Sequence, residues 1–329
     1  MKKARVRIVA ILLVMTTSLF GLTGCLGTTG SRTLTLEPKV TTPAIRTEGM
    51  LTVGVDSTRA PYAGYIKGNL VGIDVDIAAA LAEQLGLQLK LVDIAGQDAT
   101  ELLESSAVDV VMDVEEDGVQ LLQGTIIGPY LISGPALFTK VEGTTVPTID
   151  LTTLSGSSIV AQDRSRSLGK VEDLIGSGTV TPVANLTEAL ETVNRGTATY
   201  AAADSIAGSY LAVQYTGLSC VRLLPDSSIG VYLGLEKTNT PLAEAVTTAL
   251  RDIRDNGVLS VVISKWLGPV SATVVFSRQA IVALDSNSVG SLTGNGTGTG
   301  TGTGAEAGSE TNTGAGLPGI QPPDTVRII

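Results

Sequence analysis

From about residue 46 to residue 270, apolar residues recur with periods of two and of three to four in turn, predicting strands and helices in succession. Met50 to Val55 alternates through Leu51, Val53 and Val55 and predicts a strand. Asp74 stands where it can cap a helix whose face carries Ile77, Ala78, Leu81, Ala82 and Leu85, with Gly86 just past its end. Leu87, Leu89 and Leu91 predict a second strand, and a shorter helix around Ala99 to Ser105 leads into the run Val108-Asp109-Val110-Val111-Met112. That run is continuous enough for a strand buried on both faces. The order βαβαβ implies a parallel sheet with helices packed on its faces. After Leu137 the cycle restarts: a strand at Ser158 to Ala161, a helix at Leu186 to Asn194 with Leu186, Ala189, Leu190 and Val193 on one face, and a strand at Thr199 to Ala203. A helix from Pro241 to Asn256, stopped by Gly257, and a short segment through Trp266 are the last regular elements. Two such units in succession predict an α/β protein of two lobes.

The flanks differ in kind. Lys2, Lys3, Arg5 and Arg7 precede an apolar run from Ile8 to Phe20, shorter than the roughly 18 residues that cross a bilayer, which is the pattern of a signal peptide. Leu22-Thr23-Gly24-Cys25 resembles the lipobox of bacterial lipoproteins, implying cleavage ahead of Cys25 and acyl chains, palmitate among them, on that cysteine. Residues 1–24 are therefore expected to be a lipoprotein signal peptide, and 25–45 a lipidated cysteine with a flexible tether. Each buried methylene of the lipid contributes about 0.8 kcal/mol, so several chains would hold the protein outside the cytoplasm at the cell membrane. Residues 271–285 form an extension with no assigned element, and 286–329, with the Gly-Thr repeat from Gly296 to Gly304, is expected to be a disordered Gly/Thr-rich tail.

Composition narrows the chemistry. The sequence has no histidine and two cysteines, so it lacks the usual ligands of zinc, haem or iron–sulfur sites and the base of a Ser-His-Asp or Cys-His centre. No metal and no cofactor are expected. The formal charge is −10; without the four basic residues of the signal peptide, the 22 basic side chains fall to 18 against 32 acidic ones, a balance of −14. Such a chain does not suit phosphate rows, and no nucleic-acid partner is expected. With Cys25 lipidated, Cys220 has no disulfide partner and reads as a small buried hydrophobe.

Several short runs resemble one family in order. Leu51-Thr52-Val53-Gly54-Val55-Asp56, then Ala60-Pro61-Tyr62, then Leu70-Val71-Gly72-Ile73-Asp74-Val75-Asp76-Ile77-Ala78 resemble the opening of the bacterial extracellular solute-binding proteins of family 3, which serve polar amino-acid importers. Val108-Asp109-Val110 with Gly128-Pro129-Tyr130, then Ala202-Ala203-Asp204, then Asn256-Gly257 with Lys265-Trp266-Leu267-Gly268 continue the likeness to Gly268. The resemblance implies an α/β, two-lobed periplasmic-binding-protein-like fold of type II, each lobe a sheet flanked by helices. Lobe 1 would comprise 46–137 and 229–270 and lobe 2 138–228, joined by two hinge crossings near Pro135–Lys140 and Ile229–Leu235.

The same resemblance implies candidate ligand contacts. Asp204 matches the aspartate that receives a ligand's ammonium, or is an ordinary strand-end carboxylate; Asp56 matches a position near the ligand, or caps the next turn. Where the family places an arginine that forks onto the ligand carboxylate, this chain has Asp113, Glu115, Glu116 and Asp117 and no arginine, so Glu115 and Glu116 either favour a cationic group or form a solvated turn. Arg59 stands where relatives place a stacking ring, and Tyr62 lines the pocket or packs beneath its turn. Arg164, Ser165 and Arg166 match a loop at a helix N-terminus, where the arginines fork onto a carboxylate, pair with Glu115 and Glu116, or are surface residues.

The function so implied is capture of a small polar solute, an amino acid or amine-containing relative, by a lipid-anchored monomer that closes on it and docks on a membrane permease of an ABC importer. No catalytic residue is expected. The other classes left open are a cyclohexadienyl-type dehydratase on the same fold and an envelope sensor or lipoprotein that imports nothing.

Overall fold

Strand β1 (Met50–Val55) is buried at five of its six residues because it lies inside a sheet, flanked in parallel by β4 (Gln88–Asp93) and β5 (Val110–Glu115). The structure, a computed structural model, describes residues 37–115 and 122–275; Cys25, Glu116 and the Gly/Thr-rich tail lie outside these. Between β1 and β4 come a hairpin of β2 (Gly64–Ile66) and β3 (Asn69–Val71) and helix α1 (Ile73–Gln84); α2 (Ala99–Glu104) precedes β5. Strands β6 (Gly124–Ser133) and β12 (Ile229–Glu236) complete the first sheet in the order β4-β1-β5-β12-β6, with β12 antiparallel to both neighbours. The strand that follows the whole second half of the chain thus sits inside the first sheet.

The second sheet has the order β11-β7-β10-β8-β9, from β7 (Pro135–Lys140), β8 (Ile159–Gln162), β9 (Val180–Val183), β10 (Tyr200–Asp204) and β11 (Leu218–Leu223). Its helices are α3 (Arg166–Ile175), α4 (Leu186–Asn194) and α5 (Ser205–Ala212). Helix α4 buries Ala189, Leu190 and Val193 at helical spacing. On the first sheet, α1 buries Ile77, Ala78, Leu81 and Ala82, while α6 (Thr240–Asp255) buries Leu242, Val246, Ala249, Leu250 and Ile253. Each large aliphatic side chain so placed contributes about 1.5–3 kcal/mol. Among the described residues no helix is long and apolar enough to cross a membrane.

Three features depart from the sequence reading. Helix α1 begins one residue before Asp74, with Gly72 at its cap position and no side-chain cap, and Asp74 turns into the interior. The segments Pro135–Lys140 and Ile229–Leu235 are strands belonging each to one sheet: Pro135 pairs with Asp204 in the second, and Ile229 with Ser133 in the first. The chain changes sheet at Gly134 and again over residues 224–228. The two passages touch there, since a Cβ on Gly134 (φ 151°) would lie 2.7 Å from the Ser227 carbonyl oxygen, which explains the glycine.

The C-terminal helices tie the sheets together. After α7 (Val258–Leu267), α8 (Pro269–Val275) lies against β11, and the buried Ser271 Oγ accepts the Cys220 N–H at 3.0 Å. Trp266 of α7 faces Tyr210 of α5 with ring centroids 6.3 Å apart, and its Nε1 donates to Asp76 Oδ2 at 2.6 Å. Burial pushes the Cys220 thiol up to about 12.

Candidate functional site

The C-terminal end of β1 carries a turn that places Arg59 against β5. Asp56 Oδ1 accepts the Thr58 N–H at 2.9 Å, and the Asp56 carbonyl accepts the Arg59 N–H at 3.2 Å, which fixes the turn from within. The Arg59 guanidinium then lies 5.7 Å from the ring centroid of the buried Tyr62, and its side chain is 41% exposed. Asp113 and Glu115 stand two residues apart on β5, Asp113 with a left-handed φ of 58° where the β5–β12 register shifts, and both side chains reach the Arg59 guanidinium. Arg59 Nε meets Asp113 Oδ2 at 2.5 Å, and Arg59 Nη2 donates a short hydrogen bond to Glu115 Oε1. Burial works against the arginine's charge, but Asp113 and Glu115 more than offset it and hold its pKa above the ordinary value.

Behind this pair lies a buried polar chain. Tyr130 Oη donates to Asp74 Oδ1 at 2.7 Å and accepts the Asp113 N–H at 3.0 Å. Asp74 Oδ2 has no hydrogen-bond partner among the described residues. Burial pushes the Asp74 carboxyl up to about 7, with the Tyr130 hydroxyl and Arg59 acting the other way. Burial and then the Asp74 charge hold Asp113 well above the usual carboxylate range. Burial raises Tyr62 and Tyr130 likewise, so both are neutral phenols.

The two sheets meet in this region. Asp204, at the end of β10, caps α5 by accepting the Ile206 and Ala207 N–H groups at 2.9 Å each, and its Oδ2 accepts the Ser133 hydroxyl of β6 at 2.8 Å. Asp56, Arg59, Gln97, Asp98, Asp113 and Glu115 line a cavity of about 370 Å³, within the range of small-molecule sites. Arg59 is the one basic residue among the described residues that line it.

Of the residues singled out from sequence, Asp56, Arg59, Tyr62 and Glu115 are brought together, and Asp204 lies beside them through Ser133. Arg164 is 88% exposed and pairs with its neighbour Asp163 at 3.2 Å; Arg166 is exposed on the first turn of α3. Ser165 caps α3 by accepting the Leu168 N–H at 3.1 Å. Glu115 pairs with Arg59, not with Arg164 or Arg166 as one alternative had it, because the turn after β1 is adjacent to β5. Sequence reasoning misses Asp74, Tyr130 and Ser133 as parts of the site. The signal for Asp74 is an acid among apolar residues of a helix start, which also fits a cap.

Comparison with known proteins places this geometry in a family. Residues 51–269 match the family described as bacterial extracellular solute-binding proteins, family 3. The L-cystine-binding protein TcyA of Bacillus subtilis (strain 168) is 22% identical over 68% of this chain and 84% of that protein. A probable amino-acid ABC transporter-binding protein of Haemophilus influenzae is 26% identical over 66% of this chain and 84% of its own length. Among solved structures, the unliganded open L-cystine solute receptor of Neisseria gonorrhoeae is similar at TM-score 0.57 and 22% identity, covering 67% of this chain and 93% of that one. An ancestral cyclohexadienyl dehydratase is similar at TM-score 0.58 and 20% identity, covering 67% and 92%, so the likeness in fold extends to proteins of unlike activity. The architecture is the type II periplasmic-binding-protein fold, two sheets flanked by helices and joined by two crossings. With a family match across two thirds of its length and a charged cavity at the strand ends, the chain belongs to the bacterial extracellular solute-binding proteins of family 3.

Proposed function

We propose that this protein captures a small polar solute, an amino acid or an amine-containing relative, between two lobes and delivers it to an ABC permease. The observation that carries this reading is the charged cavity of the first sheet, lined by Asp56, Arg59, Asp98, Asp113 and Glu115, with Asp204 of the second sheet bound nearby to Ser133 of the first. A solute touching both lobes binds the closed state better and shifts the hinge equilibrium towards it. The names of its relatives, an L-cystine-binding protein and a probable amino-acid ABC transporter-binding protein, support this solute class. The lobes we assign to the two sheets hinge at Gly134 and residues 224–228. Cys25 carries the lipid that keeps the monomer near its permease, so Cys25→Ala releases the protein from membranes.

The test is thermal unfolding of the purified full-length chain with single amino acids, polyamines and guanidino compounds at millimolar concentration. A solute at a hundred times its dissociation constant adds about 2.7 kcal/mol, a shift of several degrees. A panel in which no compound moves the transition sinks the reading.

A further inference from the structure

The family match ends at residue 269, where α8 begins, so this helix lies beyond the part of the chain that the match covers. It is nonetheless built into the molecule, with Val270, Ser271, Ala272 and Val275 buried out of its seven residues. Its contacts divide between the two sheets. Ala272 and Val275 pack in the core of the first sheet, together with Leu267 of α7 and Ile206 of α5. Val274 packs on the core of the second, and Ser271 Oγ accepts the N–H of Cys220 on β11 at 3.0 Å. The preceding helix α7 is held to the first sheet's side instead, since Trp266 Nε1 and Lys265 Nζ both donate to Asp76 Oδ2 of α1, at 2.6 and 2.7 Å. Gly268, with a φ of 79°, is the single residue between α7 and α8. The chain therefore passes from the first sheet's side to the second a third time, beyond the passages at Gly134 and residues 224–228.

We propose that α8 is a clasp that limits how far the two lobes turn about their crossings, with Gly268 as its pivot. The inference rests on the two-lobed solute-capture reading and adds a restraint on the motion that reading requires. Geometry supplies the reason. Cys220, where α8 grips the second sheet, lies four residues before Leu224 at the second crossing, about 13 Å of strand at roughly 3.3 Å per residue. A rigid-body turn of about 15° about an axis through the crossings and across β11 moves Cys220 by about 3 Å, more than a hydrogen bond tolerates. Helix α8 must then travel with the second sheet or let go of it. If it travels, Ala272 and Val275 leave the apolar core of the first sheet. If it lets go, the buried Cys220 N–H loses its acceptor. Either course costs free energy, so the solute-free lobes are held near one arrangement.

The experiment measures the distance between the lobes without solute, so its failure is separate from a failure of solute capture, which the thermal panel reads. Spin labels are placed at the exposed Glu83→Cys on α1 and Asp173→Cys on α3 of the full-length chain, with Cys25→Ala removing the other accessible thiol and the buried Cys220 left in place. Double electron–electron resonance then gives the distribution of their separation. The expected result is one narrow distribution, broadened by several ångströms when Ser271→Ala or Val274→Ser weakens the grip of α8 on the second sheet. Val274 is only partly buried, so Val274→Ser carries the test alone if Ser271→Ala does not fold. Val193→Ala, in the core of the second sheet away from α8, is the control, because it lowers the unfolding midpoint without touching the clasp. A merely structural role for α8 would lower the midpoint in the same way and leave the distribution narrow. Distributions in the α8 variants that superimpose on the unsubstituted one, or equal broadening in Val193→Ala, overturn the inference and leave solute capture standing.

Discussion

Replacing Asp74 by Asn removes a buried charge without changing the shape of the side chain, and its effect is read in the pH dependence of stability. The Asp74 carboxyl titrates at about 7 in the folded chain against an ordinary 3.8. Between those values the folded state holds a proton that the unfolded state has lost, so stability falls as pH rises through the window and levels off above about 7. Over pH 5 to 8 this group alone costs about 2–3 kcal/mol, because one proton held only by the folded state is worth roughly 1.4 kcal/mol for each pH unit crossed. Asp113, raised by burial and by Asp74, adds a slope of the same sign.

The window is clean because the sequence has no histidine, and Cys220 titrates near 12. Asp93, held low by the Ser57 hydroxyl, and Glu48, held low by the Thr42 N–H, act only below the ordinary carboxylate range. Urea unfolding of the solute-free chain at half-unit steps from about pH 5 to 8 measures the slope. The wild type loses stability across the range, and Asp74→Asn loses about 2–3 kcal/mol less. A variant that keeps the wild-type slope, or a wild type whose stability is flat or rises, refutes the burial of these carboxylates.

Gly134→Ala puts a Cβ 2.7 Å from the Ser227 carbonyl oxygen at a φ of 151°, and is expected to destabilise by about 2 kcal/mol or more in the same unfolding assay; an unchanged midpoint would mean the passages are not in contact. Ser271→Ala strands the buried Cys220 N–H and should cost about 1–3 kcal/mol, whereas an unchanged unfolding midpoint would mean that α8 does not hold β11. The Cys220 thiol, fully buried and raised to about 12, should resist a thiol-reactive dye in the native chain and react at once in denaturant; rapid native labelling would contradict its burial.

The elements legible in the sequence are those whose burial pattern matches one clear period. Helix α6 shows its five buried residues at helical spacing and α4 its three, while β1 is legible from the alternation of Leu51, Val53 and Val55 although five of its six residues are buried. Helix α5 is hidden from such reading because its buried face carries Ser205, Gly208 and Ser209, residues that read as turn formers. Close packing dictates this choice: a Cβ on Gly208 would lie 2.5 Å from the Phe138 ring. Strands β7 and β12 pass for crossings because nearly continuous apolar runs reveal burial but not sheet membership.

The candidate site divides along the same line between local and distant information. The sequence reading ends this strand at Met112 and leaves Asp113 and Glu115 in an acidic stretch, whereas β5 runs on through Glu115 and both carboxylates reach one partner. Which charge meets them does not follow from the sequence, because Arg59 is 54 and 56 residues away in the chain and arrives only through the adjacency of β1 and β5. Counting charges along the stretch therefore assigns it a pull on cations. Arg59 pairs with both carboxylates but carries a single positive charge, and Asp56 and Asp98 line the same cavity, so its described lining stays acidic with one paired arginine in it. Which charges meet at the cavity is thus a property of pairing across strands.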